Sequence, residues 1–139
     1  MASKVYPKAL ELLNAGTLNW GSDTIRILLV NASSTYNRTH DFVDDIVANE
    51  LSGGSYARQA LASKTSTDNG TDKWIFDAAD PVFSSVASGQ TAAAAIVFKF
   101  ITNDAASPLL AFIDGVDVVA NGGDITVQFA STGIFYLSY

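Results

Sequence analysis

The sequence predicts a mainly β, single-domain antiparallel β-sandwich or barrel with one or two short helices near the N-terminus. Three observations predict it. Helical spacing of apolar residues is confined to the first third of the chain. After Tyr56, β-branched and aromatic runs recur at roughly 8–12-residue spacing with turn signals between them. And 139 residues, 48% hydrophobic and 16% charged, suffice for one packed core and are too apolar for a disordered chain. No repeat, linker or low-complexity stretch divides the sequence, so 1–139 reads as one domain.

Tyr6 to Ala15 reads as a short helix. Val5, Ala9, Leu12 and Leu13 share a face at helical spacing, Pro7 suits a first turn and Gly16 a stop. Thr24 to Val30, "TIRILLV", is too apolar for a surface strand and reads as a central strand buried on both faces. Thr39 to Leu51 reads as a second short helix, with Thr39 as cap and Asp41 in the first turn. Phe42, Val43, Ile46 and Val47 form its apolar stripe, and Asp44, Asp45 and Glu50 fall mostly opposite. Ser52 to Gly54 ends it.

The remainder reads as strands. Asp68-Asn69-Gly70 is a hairpin signal that fits a type I′ turn. Thr91 to Thr102 is a long strand, and Ser107 to Asp114 is another. Asn121-Gly122-Gly123 marks a turn. Ile125, Val127 and Phe129 alternate with Thr126 and Gln128 as a half-buried strand. Phe135, Leu137 and Tyr139 share a face of a last strand that is expected to be tied into the sheet.

Composition bounds the chemistry. Eight Lys and Arg are scattered from Lys4 to Lys99 within a net charge of −6, so nucleic acid is not an expected partner. With no cysteine there is no disulfide, thiolate ligand or cysteine nucleophile. The first residues lack the pattern of a secretory signal, and "TAAAAIVFKFI" is too short to span a bilayer. Synthesis in a cytoplasm and no membrane partner are the expectations. The sequons at Asn31, Asn37 and Asn69 carry no weight in that setting.

The chemically suggestive residues each have a plainer reading. Asp77 and Asp80 in "WIFDAADPVFSS" could join Asp72 around a calcium ion, but the ladder of oxygens of an EF-hand is missing. A glycosidase pair needs placement across a substrate, which spacing does not give. Aspartates favour turns, and Pro81 restricts Asp80, so "DAADP" reads as a strand–turn–strand corner. His40, the single histidine, would face Asp44 on a helix with Asp41 and Asp45 nearby, which is a pair and not a site. No Gly-x-Ser-x-Gly elbow selects a serine for it. Gly53-Gly54 and Gly122-Gly123 sit in turns without a phosphate-loop or dinucleotide pattern. Trp20, Tyr36, Tyr56, Trp74, Phe76, Phe83 and Tyr136 could stack on sugars or bases, or form the core that strand periodicity favours. No catalytic, cofactor or metal residue is assigned, and no cofactor is expected.

One pattern is more specific. "MASKVYPKALELLNAGTLNWGSDTIRILLVN" and "TYNRTHDFVDDI" are followed in order by "GSYARQAL", "KTST", "FDAADPVFSSV", "AAAAIVFKF", "SPLLAFID", "NGGDITVQF" and "GIFYLSY". This order, over nearly the whole chain, resembles a family of small structural proteins of tailed bacteriophages. The resemblance implies a virion component without enzymatic activity, made in the host bacterial cytoplasm. Its leading form is a capsid decoration (cement) protein. Its partners would be the major capsid protein or other virion proteins, and its own copies, as a trimer on the capsid surface. Met1 to Tyr6 is the arm expected to reach the shell. A tail, neck or connector, or fibre-associated protein of the same fold is the alternative. A carbohydrate-binding module or hydrolase, using Asp77, Asp80 or His40 in a cleft, is the reading from another class.

Overall fold

In the computed structural model, which describes residues 3–139, ten strands, one α-helix and two 3-10 turns form an antiparallel β architecture. The largest sheet has five strands in the order β1-β8-β7-β2-β3: β1 (Ser3–Val5), β2 (Ile25–Val30), β3 (Gln59–Ala60), β7 (Thr91–Lys99) and β8 (Leu109–Val119). A second sheet runs β10-β5-β4, from β4 (Thr65–Asp68), β5 (Lys73–Asp77) and β10 (Phe135–Ser138). A third pairs β6 (Val82–Phe83) with β9 (Ile125–Thr126).

The layering follows from two apolar clusters on opposite faces of the five-stranded sheet. On one face Ile25, Ile27, Leu29, Ala95, Val97 and Ile113 meet Phe76 and Phe135 of the second sheet and Phe83 and Ile125 of the third. This is a sandwich rather than a closed barrel. Trp20 stands edge-on to Phe76 and Phe135, which stack on each other with centroids 4.5 Å apart. On the other face Leu28, Val30, Ala94, Ile96, Phe98 and Phe112 are covered by Tyr6, Val43 and Ile46. With both faces covered, β2 reads as the continuous apolar run that the sequence shows.

Helix α1 (Pro7–Ala15) begins and ends as expected. Pro7 occupies its first turn, and left-handed Gly16 closes it, with the Thr17 N–H donating to the Leu12 carbonyl and the Gly16 N–H to that of Leu13. The second expected helix does not form. Residues 39–51 hold only the 3-10 turns Val43–Asp45 and Val47–Asn49. Val43 and Ile46 must cover the sheet, and the backbone on either side is already bound to it. Val43 N–H donates to Ser107 O, Leu109 N–H to Asp41 O, and Glu50 is bridged to Val30. Three β-branched residues, Val43, Ile46 and Val47, give a helix little to set against those bonds. Thr39 accordingly caps no helix; its hydroxyl and N–H both donate to Asn37 Oδ1.

Two further expectations change in detail. The β4–β5 hairpin forms, but through a four-residue loop and not a two-residue type I′ turn. Asn69 Oδ1 accepts the N–H groups of Thr71, Asp72 and Lys73 and so builds the loop from its own side chain. And Ser3–Val5, expected as part of a free arm, is paired in register with Ile113, Phe112 and Ala111, with Tyr6 buried behind it. Met1 and Ala2 lie outside the described residues. The last strand is tied in as expected: β10 pairs with β5, and Tyr139 N–H donates to Asp72 O.

Candidate functional site

The "DAADP" segment is a corner between two sheets. β5 ends at Asp77 and β6 starts at Val82. Asp77 Oδ1 accepts the N–H of Ala78, its carbonyl accepts the Trp20 indole N–H at 3.0 Å, and Asp80 Oδ1 accepts the Phe129 N–H at 2.9 Å. Both carboxylates are therefore engaged by backbone donors. Asp72 instead pairs with Lys73 in the β4–β5 loop, where that hydrogen bond holds its carboxyl below the usual range. No cluster of three or more ligating side chains occurs among the described residues.

The His40 neighbourhood does not assemble either. Without a helix, His40 and Asp44 lose the spacing that would face them to each other, and His40 Nδ1 is buried without a hydrogen-bond partner among the described residues. Asp45 turns back to accept the N–H groups of Asp41 and Phe42, and these bonds, the first above all, hold its carboxyl below the usual range. Gly53 and Gly54 sit where the chain crosses residues 85–87, with Gly54 bridged to Val86. Gly122 and Gly123 form the turn before β9.

The aromatic residues do not make one platform. Trp20, Phe76 and Phe83 are core. Tyr56 stacks on Phe83 and is fixed at its hydroxyl, which donates to Glu50 and accepts the Leu29 N–H; burial pushes its phenol well above the usual range. Trp74 and Tyr136 are 42% and 39% exposed. They lie in adjacent register rows, Trp74 opposite Leu137 and Tyr136 opposite Ile75, so they point to opposite faces of their sheet.

One groove lies where β8 bends. Opposite the single residue Ala93, β8 carries Gly115, Val116 and Asp117, because Ala94 pairs with Asp114 and Ala92 with Val118. Gly115 and Asp117 take left-handed backbone at φ 78° and 49°, which glycine adopts freely and aspartate better than most residues. Bulges of this kind re-aim side chains at sheet edges. Here the bulge puts Asp114 and Asp117 on the wall of a groove of about 430 Å³ whose other walls include Lys4, Tyr36 and Phe112.

Each wall is held from elsewhere in the fold. The Tyr36 hydroxyl donates to Val5 O at 2.9 Å, and its ring lies 5.1 Å from that of Tyr6 and 6.2 Å, edge-on, from that of Phe112. Tyr6 is wholly buried with its hydroxyl unpartnered among the described residues, and burial, reinforced by Tyr36, raises its phenol above the usual range. Lys4 projects from β1 with its ammonium 5.2 Å from the centre of the Tyr36 ring, forming no ion pair with Asp114 or Asp117. Asp114 accepts its neighbour Gly115's N–H, while no hydrogen bond or ion pair among the described residues involves the Asp117 carboxylate. Just beyond, Val118 and Val119 are exposed, Val119 to 70%. The groove thus joins an aromatic wall, an uncompensated acidic rim and an apolar shoulder, a combination suited to recognising another surface.

Asp114 and Asp117 were not among the residues the sequence singled out, and Lys4 was singled out only as part of the Met1 to Tyr6 arm. The available signal was Gly115 between two aspartates inside a strand pattern, "FIDGVDVVA", since an isolated glycine there suggests a bulge. No helix among the described residues is long and apolar enough to cross a membrane. No protein-family model, curated protein or solved structure matches this chain.

Proposed function

We propose that this chain is a non-enzymatic structural subunit of a tailed-bacteriophage virion, a decoration (cement) protein that binds the outer surface of the capsid. What carries the proposal is the resemblance of the ordered series of segments, from "MASKVYPKALELLNAG" to "GIFYLSY", to small structural proteins of tailed bacteriophages over nearly the whole sequence. The geometry adds surfaces suited to docking. β4 ends its sheet with Thr65–Asp68 all exposed, which leaves an edge for strand addition. The β8 groove adds a charged and apolar patch. With Ser3–Val5 zipped onto β8, these surfaces replace a free Ser3–Tyr6 arm as the points of attachment.

The mechanism is mass action. Each copy that binds neighbouring capsid subunits in the assembled shell, and not the separated ones, stabilises the shell by its binding free energy under the prevailing concentration. Copies associate in closed symmetry, and a trimer is the order that a junction of three capsomers asks for. The host's bacterial cytoplasm is the place of synthesis, and the capsid surface the destination.

A second reading, a carbohydrate-binding module, draws on Trp74. Its indole N–H is bonded to Ser66 Oγ at 2.7 Å, and its half-exposed ring borders a shallow groove with Asn19, Trp20 and Gly21. Cryo-electron microscopy of the purified virion tests both. Density for this chain over threefold or quasi-threefold positions of the capsid is the expected result. Density confined to the tail, neck or fibres would replace the cementing mechanism, and absence from the particle would overturn the virion reading and leave the Trp74 groove as the place to look.

A further inference from the structure

Charge inside this chain is distributed unevenly. Of its eight Lys and Arg, Lys8, Arg58, Lys73 and Lys99 form ion pairs. Lys4 and Arg26 lie over aromatic rings, and Lys64 donates to the Asp23 carbonyl. Arg38 alone, among the described residues, has no ion pair, hydrogen bond or ring contact, and it is exposed. It follows Tyr36 by two residues, so its backbone lies within about 7 Å, along the chain, of a wall of the β8 groove. The same groove carries Asp117, which no cation among the described residues satisfies. An unpaired guanidinium, two residues along the chain from a wall of the groove, and an unpaired carboxylate on the groove itself are thus both left over among the described residues.

We propose that this patch is a two-fold contact between copies of the chain, in which Arg38 of each copy enters the β8 groove of the other and faces Asp114 and Asp117. A patch holding both the donor and the acceptor is self-complementary, which is the requirement of an isologous interface. Val118 and Val119 supply the apolar surface that such a contact buries beside its charges. Lys4 stays at the Tyr36 end of the groove, held over that ring, so the incoming guanidinium is directed to the acidic end. The inference rests on the reading of the chain as a self-associating subunit and adds the surface and the residues. A trimer would use a different surface.

Sedimentation equilibrium on the full chain tests it. The wild type is expected to associate through two-fold contacts, as dimers or, with the trimer formed, as pairs of trimers, and that two-fold step should weaken as salt rises from about 0.1 M to about 1 M, where the screening length falls from ~10 Å to ~3 Å. Arg38→Glu should weaken that step by about tenfold or more, because each copy then sets like charges against the groove. Asp114→Lys should weaken it in the same sense. An equimolar mixture of the two variants should recover it, because one of the two symmetry-related contacts then carries both substitutions, with its charges exchanged, and the other carries neither. Circular dichroism melts check that both variants fold. Self-association unchanged by either variant would overturn this contact and leave the self-association reading standing. A wild type that stays monomeric to about 1 mM, where even a very weak pair is detectable, would overturn both. Neither outcome bears on where the chain lies in a virion.

Discussion

Replacing Arg58 with alanine should be among the more damaging single changes outside the apolar core. Its guanidinium donates to Glu50 through Nε and Nη2 at 2.9 and 2.8 Å, and to Asp104 through Nη1 and Nη2 at 2.6 and 3.1 Å. It also lies 5.5 Å from the centre of the Phe98 ring, at the end of the core that residues 31–50 cover. The Glu50 side chain is 13% exposed and that of Asp104 35%. Removing one member of a buried pair costs roughly 3–5 kcal/mol and of an exposed one roughly 0–1 kcal/mol. With Glu50 near the first limit and Asp104 nearer the second, the loss should be about 2–3 kcal/mol, moderated because the Tyr56 hydroxyl still serves Glu50. At about 2.1 cal/mol/K per residue the unfolding entropy of 139 residues is about 0.3 kcal/mol/K, so Tm should fall by about 7–10 °C. Calorimetry at neutral pH reads this directly. A cycle with Glu50→Gln should show a coupling above about 1 kcal/mol. A fall in Tm below about 2 °C, or strictly additive effects, would refute the account of Arg58 as a clamp.

Further outcomes follow from single contacts. Gly133→Ala should destabilise by about 2 kcal/mol or more in thermal melts, because φ is 77° and the added Cβ would lie 2.6 Å from both Ile75 Cγ2 and the Phe76 carbonyl of β5. Trp20→Phe should cost about 2–4 kcal/mol in urea unfolding, since it leaves the Asp77 carbonyl without its donor and opens space beside Phe76 and Phe135. Asp80→Ala should cost only about 1 kcal/mol, the worth of its bond to the Phe129 N–H, and added calcium should shift the Tm of neither form. Asp104 and Asp45 have lowered folded-state pKa values, through hydrogen bonds from Arg58 and from the Asp41 N–H. Their stabilisation is complete above the unfolded value of about 3.9 and is lost as pH falls through the folded values. Melting temperature should therefore fall below about pH 4, and less steeply in an Asp45→Asn/Asp104→Asn chain.

The legible parts of the fold were those with a local cause. Pro7 and Gly16 bracket α1 because each is chosen by backbone geometry alone, and β2 was legible because a strand covered on both faces must be apolar throughout. Residues 39–51 have the right periodicity for a helix and do not form one, because Val43, Ile46 and Glu50 answer to the sheet they cover and border. The β4–β5 turn was placed correctly, but its type was decided by the Asn69 side chain, which the Asn-Gly rule does not consider. The groove was hidden for a similar reason. Gly115 hints at a bulge, but "DGVD" does not say that three residues will face one across the strand pair, or that Tyr36 and Lys4 will stand beside them.

The electrostatic arrangement bears on what this surface can bind. Seven of the eight cations are engaged within the chain, so the 14 carboxylates, several of them without a partner among the described residues, set the sign of the surface. A phosphate backbone is repelled by such a surface, and a basic or apolar one is accepted. The cations also hold the fold in place. Arg58 closes one end of the core over Phe98, and Lys99 pairs with Asp23 beside the Trp20 turn, so neither can be redirected outward without loosening the sandwich. Arg38 is free of that constraint, which is why its charge is available to a second molecule. Binding through this face should therefore weaken with salt, whereas the folding of the chain, resting on shielded pairs and on two apolar layers, should respond far less to it.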